Sequence, residues 1–447
     1  MTDAVIRSIP LTGAALINLH GAYPDRYPAL FASAAVGEPL GRFDILFAFP
    51  EERLTLSRLS DTEPSFLDSL DAAWRAERTA PIEANLPFVG GWLIYLSYEL
   101  AGQIEPRLRL PVSGDPIAIA ARVPAAVIYE HATGAGWLVA EAGRESLLDA
   151  MSADLAGCSV STPRLIHAAL AEQVEEDPPE RYLHAVERAL EYIAAGDIYQ
   201  ANLSQGWRAQ LRPNVTPVDL YRRLRQTNPG PFSAIAQFPE LSVISSSPER
   251  LASVKDRIIN TRPIAGTRPR GKDEPSDRDL ARELFSHPKE RAEHIMLLDL
   301  ERNDLGRVCE AGTVEVDELM TIESYAHVHH IVSNVRGRLR PEITPGQALA
   351  AVFPGGTITG CPKVRCMEII AELEGVPRGA YTGSLGYLNR DGSMDFNILI
   401  RTLEVHDRTV SLRAGAGIVA DSIALRELDE SRAKARGVLN ALTGAGN

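Results

Sequence analysis

The sequence predicts an α+β chain, strands and helices interspersed, and three kinds of pattern carry that reading. Strand-length apolar runs stand at residues 42–50 and 90–98. Helical spacing appears at residues 65–77, with Phe66, Leu67, Leu70 and Trp74 on one side, and again where Tyr182, Leu183, Val186, Leu190 and Ile193 form a stripe. Strict alternation marks residues 197–205, where Tyr199, Ala201 and Leu203 oppose Gln200, Asn202 and Ser204, a polar face that can point into a site, a solvated sheet face being the commoner case.

In chain order, the first part is β-leaning. Residues 125–129 and 136–140 form a strand pair across a short glycine-containing turn. An acidic stretch from 141 to about 177 ends in Asp177-Pro178-Pro179 and divides the chain into regions 1–165 and 178–442. The second region opens with the helix beginning at the paired prolines, which closes before Gly196.

The 447 residues suffice for a large core, and 45% hydrophobic with 23% charged residues is ordinary globular composition. A net charge of −13 disfavours nucleic-acid and anionic-membrane partners, so an anionic substrate must be held by local arginines or a bound cation. Cys158, Cys309, Cys361 and Cys366 show neither C-x-x-C nor zinc spacing and read as reduced thiols. The N-terminus lacks signal-peptide character and no long uncharged apolar segment occurs, so the expected location is cytoplasmic.

Chemistry concentrates in a few stretches. Ser245-Ser246-Ser247-Pro248-Glu249 puts one carboxylate in a turn after the apolar run 241–244. After the strand-like Ile258-Ile259 comes a segment rich in arginine, proline and glycine, residues 261–271, read here as a cationic loop suited to an anionic substrate. The helix 288–302 carries Glu290 and Glu293 three apart on one face, and the helix 425–434 carries Glu427, Glu430 and Lys434. Two such carboxylate pairs can hold a hard cation such as Mg²⁺; two solvated faces are the alternative. The glycine-rich residues 353–360 precede the helix 364–374 and offer backbone N–H groups to a carboxylate. Residues 414–419 follow the strand 410–413 and let backbone approach a ligand. Arg401, in the otherwise apolar run 397–403, requires either a substrate carboxylate or an internal salt bridge.

In this order, from Pro179 to Gly437, these motifs resemble the chorismate-utilising enzymes: anthranilate, aminodeoxychorismate, isochorismate and salicylate synthases. The resemblance implies an anthranilate-synthase-like α+β fold, two large antiparallel sheets packed as a sandwich with surrounding helices, binding chorismate with Mg²⁺. It implies Glu293 and Glu430 as direct metal ligands, with Glu290 and Glu427 nearby. Arg401, Tyr381, Thr357, Gly266, Gly415, Gly417 and Lys434 would contact substrate. Glu249 would be the general acid, with a raised pKa, and His330 the active-site histidine.

Gln200 stands where water-adding members carry a lysine base. The resemblance therefore implies an amine nucleophile, supplied by a separate glutamine amidotransferase subunit. Gly41-Arg42-Phe43-Asp44-Ile45, residues 353–360 and Gly386-Tyr387-Leu388 with Met394-Asp395 are more similar to the aminodeoxychorismate synthase branch. Leu30-Phe31-Ala32-Ser33 lacks the glutamate of the tryptophan-feedback motif. Ala265 points the other way: it replaces a lysine that many aminodeoxychorismate synthases carry, as anthranilate synthases do.

Overall fold

The computed structural model describes residues 4–34, 41–59, 64–81, 85–158, 168–271, 273–286, 288–324 and 328–444. Two antiparallel sheets, of twelve and ten strands, dominate these residues. Burial on both faces explains the unbroken apolar character of many strands. In Phe43–Ala48, Ile45 and Phe47 enter the layer between the sheets, while Leu46 and Ala48 pack outward under helices. In Gly91–Leu96, Leu93 and Tyr95 face inward and Trp92, Ile94 and Leu96 face the other way.

Helices cover both outer faces. Phe66–Glu77, capped by Ser65, packs with Pro345–Val352 and part of Pro288–Gly306 against the ten-stranded sheet. Gly13–Ala22, Ser146–Gly157, Pro217–Thr227 and Ala424–Thr443 cover the twelve-stranded sheet. Asp71 ties two of the first group together: its carboxylate accepts from the Thr344 hydroxyl and from the Gly346 amide at 2.8 Å. The expected sandwich with surrounding helices is observed.

Regions 1–165 and 178–442 both contribute strands to both sheets: Ala29–Phe31 pairs with Phe232–Gln237, and Gly91–Leu96 pairs with Ser384–Asn389. Residue 165 itself lies outside the described residues. The connection through these shared sheets is continuous, because the apolar layer between them draws on both regions.

The chain passes from one sheet to the other at two places that position the site. Ser242–Ser247 belongs to the twelve-stranded sheet and Arg250–Lys255 to the ten-stranded one, so Pro248 and Glu249 form the crossing. Met394–Ile398 and Thr402–His406 are likewise in different sheets, with residues 399–401 between them. Residues 397–403 are therefore not one strand. Arg401 has φ +53°, a left-handed conformation uncommon for a non-glycine residue, which breaks the run.

Phe47 sits at the centre of the inter-sheet layer, fully buried, with Phe31 and Phe88 edge-on at centroid distances of 4.9 Å. Phe47→Ala is expected to cost about 3–5 kcal/mol, read as a lowered midpoint in a denaturant titration. A midpoint within error of the parent's would show that the sheets do not depend on this contact.

Candidate active site

The two crossings lie side by side, held by consecutive buried serines. Ser246 donates its N–H and its hydroxyl to the Arg401 carbonyl, each at 3.2 Å. Ser247 donates its hydroxyl to the Ile398 carbonyl at 2.5 Å and accepts the Glu249 N–H at 3.2 Å. The Ile398 N–H reaches the Glu249 carbonyl at 3.0 Å. Glu249 and Arg401 are thereby presented together, one from each crossing.

Glu249 is buried, and its Oε1 accepts the Thr357 hydroxyl at 2.8 Å and the Ile264 amide at 3.4 Å. Burial pushes its pKa up to about 7. The two hydrogen bonds and the Arg401 charge oppose that rise, and the charge of Glu301 adds to it. The Arg401 pKa is lowered by burial and partly restored by Glu249. No hydrogen bond or ion pair to the Arg401 guanidinium occurs among the described residues.

The cationic loop of the sequence reading is not a loop. Ile258–Arg262 and Ile264–Pro269 are strands, and their arginines are taken by the protein's own carboxylates. Arg262 pairs with Glu318 and Glu323 at 2.5 Å, Arg268 with Glu290 at 3.1 Å, and Arg270 with Asp277 at 2.7 Å. Ala265 is buried opposite Ile331, and the next residue, Gly266, forms a bulge with φ +72°. His330, deeply buried, bonds the Gly266 backbone. Burial, then the Arg401 charge, lowers its pKa to about 3, which keeps the imidazole neutral; Lys434 also acts on it.

Strand Gln200–Leu211 shows why its polar side is not a solvated face: Gln200, Asn202 and Ser204 are all buried. Asn202 donates to the Tyr381 hydroxyl at 3.3 Å. Gln200 packs on Gly417, where a Cβ would sit 2.7 Å from Nε2, and its Oε1 has no hydrogen-bond donor among the described residues. Residues 414–418 belong to strand Thr409–Ile418 instead of following it. A Cβ on Gly415 would lie 2.0 Å from the Leu203 carbonyl oxygen, so close strand approach requires glycine there.

The expected metal ligands occupy two helices, Glu290 and Glu293 on Pro288–Gly306, Glu427 and Glu430 on Ala424–Thr443. Buried His294 anchors the first to the sheet through the Ser333 hydroxyl at 2.6 Å. Glu290 pairs with Arg268, and Glu430 with Lys434 at 2.8 Å. Glu427, Glu430 and Tyr381 all act electrostatically on buried Tyr182. No group of three or more His, Cys, Asp or Glu is gathered for a metal among the described residues.

Two residues at the site were not singled out by sequence. Asn202 was only one member of an alternating face. Glu301 is buried beside Glu249, and its signal was available: it falls at i+4 between Leu297 and Leu305, a carboxylate inside an apolar helical stripe.

Two cavities do not include Glu249 or Arg401 in their linings. One of about 790 Å³ is lined by Tyr199, Ile295, Arg307, Phe353 and Lys363 among others and contains none of the sequence-predicted site residues. Another of about 280 Å³ is lined by Phe31, Ala32 and Ser33 of the N-terminal motif, with Phe232, Tyr387 and Asn397. No helix is long and apolar enough to cross a membrane among the described residues.

With the geometry established, comparison with known proteins is informative. A family model described as chorismate binding enzyme matches residues 31–440. A Synechocystis anthranilate synthase component I-like protein is 43% identical over 412 residues, covering 91% of this chain and 84% of that relative. The aminodeoxychorismate synthase component 1 of Bacillus subtilis is 41% identical over 368 residues, covering 79% and 77%. Among solved structures, anthranilate synthase component I from Streptococcus pneumoniae matches with a TM-score of 0.79 and 33% identity, over 90% of this chain and 93% of that one.

The Glu249 pKa carries a stability consequence. An acid whose native pKa is raised from 4.5 to about 7 keeps its proton longer folded than unfolded, so its contribution to stability falls as pH rises through that interval. Glu249→Gln removes that loss. The variant is expected to gain on the order of 2 kcal/mol over the parent between pH 5 and pH 8, followed by denaturant midpoints. A stability difference that does not change with pH would contradict the burial argument.

Proposed function

Since the chain belongs to the chorismate-binding enzymes, we propose that it converts chorismate and ammonia to 4-amino-4-deoxychorismate. The observation that carries the reading is Arg401 beside Glu249. A half-buried guanidinium without a hydrogen-bond partner among the described residues suits a substrate carboxylate. Next to it, a carboxyl with a pKa of about 7 holds a proton near neutrality.

Glu249 would donate that proton to the C4 hydroxyl, which departs as water as the C4–O bond breaks. Ammonia forms the C4–N bond and sheds a proton, so that chorismate plus ammonia balances product plus water. Gln200 offers a carbonyl oxygen to an N–H and has no basic atom with which to activate water. Tyr381, positioned by Asn202, and Thr357 would line the ring, with His330 a neutral hydrogen-bonding partner over Gly266. A glutaminase subunit is the proposed ammonia source, and the cytoplasm, where chorismate would be made, the proposed setting for 4-aminobenzoate and folate synthesis.

An all-carboxylate donor set on two helices fits a hard divalent cation, which needs only one or two direct carboxylates. Mg²⁺ would be held by Glu293 and Glu430, with Glu290 and Glu427 close by. When bound it would neutralise substrate carboxylate charge. Glu293→Ala is expected to weaken binding of Mn²⁺, followed by its electron paramagnetic resonance signal, at least tenfold. Unchanged Mn²⁺ affinity would remove Glu293 from the ligand set.

A second reading, anthranilate formation with release of pyruvate, is favoured by one observation. Ala265 presents only a methyl, so no lysine adduct at C2 can form. The purified chain, given chorismate, Mg²⁺ and ammonium, is expected to yield a product that aminodeoxychorismate lyase converts to 4-aminobenzoate. Fluorescent anthranilate appearing without the lyase would overturn the first reading for the second.

A further inference from the structure

Helix Pro288–Gly306 brings to the site a carboxylate that the proposed chemistry leaves without a role. Glu301 is 6% exposed, in the stripe formed with Leu297 and Leu305. Its carboxylate accepts the N–H of Gly356, and the next residue, Thr357, donates its hydroxyl to Glu249. One short turn, Gly356–Ile358, thus holds two buried carboxylates through adjacent residues. The approach depends on glycine. A Cβ at Gly356 would lie 2.6 Å from Leu300 Cδ2 and 3.2 Å from Glu301 Oε1.

The charged neighbours make the arrangement asymmetric. Glu301 acts on Glu249 at one crossing, where Arg401 also acts on Glu249, and around Glu301 itself stand Asp304 from its own helix and Lys363 from the start of helix Lys363–Glu374. Lys363 is bonded to Asp304 and also reaches the Val352 carbonyl at 3.4 Å. That cation is therefore claimed by Asp304. Arg401 is left facing Glu249 and the space the substrate would occupy.

Resting on the reading of Glu249 as proton donor, we propose that Glu301 is its positioning residue. Held one residue along the same turn, its negative charge disfavours ionised Glu249 and so retains the donor's proton, while Gly356 and Thr357 fix the donor's aim. Glu301 touches no reacting atom in this scheme. Burial, and next the Asp304 charge, raise its own pKa, so the pair shares its protons across the neutral range.

The test is Glu301→Gln, which keeps the size and an acceptor for the Gly356 amide while removing the charge. A donor works protonated, so activity is lost as pH rises through its pKa. Removing the repulsion lowers that pKa. The alkaline limb of kcat against pH is expected to move down by about one pH unit. The infrared carboxyl band of ¹³C-labelled Glu249 should titrate lower by the same amount. Glu301→Asp should return the limb part of the way. A uniform loss of kcat with an unmoved limb and an unmoved Glu249 band would overturn the proposal. Glu249→Gln separates the two levels: if it keeps turnover, the donor reading itself fails. If it abolishes turnover while the Glu301→Gln limb stays in place, only the role of Glu301 fails.

Discussion

The site depends on two adjacent places where the chain leaves one sheet and enters the other. A strand within a sheet commits its N–H and C=O groups to the ladder and its side chains to one face or the other. A crossing is released from both constraints, yet it remains buried and must satisfy its backbone locally. Here Ser246 and Ser247 do so, bonding the Arg401 and Ile398 carbonyls. The same bonds hold the crossings in register, so that a carboxylate and a guanidinium are fixed together in a buried position.

From that pair the electrostatics of the whole centre follow. Arg401 lowers the pKa of His330 further than burial alone and opposes the rise at Glu249. Glu301 pushes Glu249 the opposite way from the far side of the Gly356–Ile358 turn. The outcome is a neutral imidazole and a carboxyl poised near neutrality beside a guanidinium, in a chain that as a whole is strongly negative.

Much of this was legible along the chain because helix and strand periodicity report burial. The stripe from Tyr182 to Ile193, the Ser65-capped helix and the strands around Phe47 and Leu93 stand where their patterns put them. The errors share one cause. Residues 261–271 looked like a cationic loop suited to an anionic substrate because the carboxylates that pair with Arg262 and Arg268, namely Glu318, Glu323 and Glu290, lie more than twenty residues away in sequence. Residues 397–403 looked like one strand because nothing local announces a change of sheet. The polar side of 200–204 looked solvated because the elements that bury it come from other parts of the chain.

The sequence by itself determined most of the element types, the α+β class, the family and the identity of the groups able to do chemistry, since those are written in residue type and short-range spacing. Tertiary structure alone decided which charges are spent and which remain. Arginines at 262, 268 and 270 form ion pairs with partners that only folding brings near, whereas the Arg401 guanidinium forms none among the described residues. It also decided that the Glu249 carboxyl titrates near neutral pH, because burial raises its pKa against the hydrogen bonds from Thr357 and Ile264, and burial is long-range. Pairing and desolvation act through space, and the order of residues along the chain does not encode them.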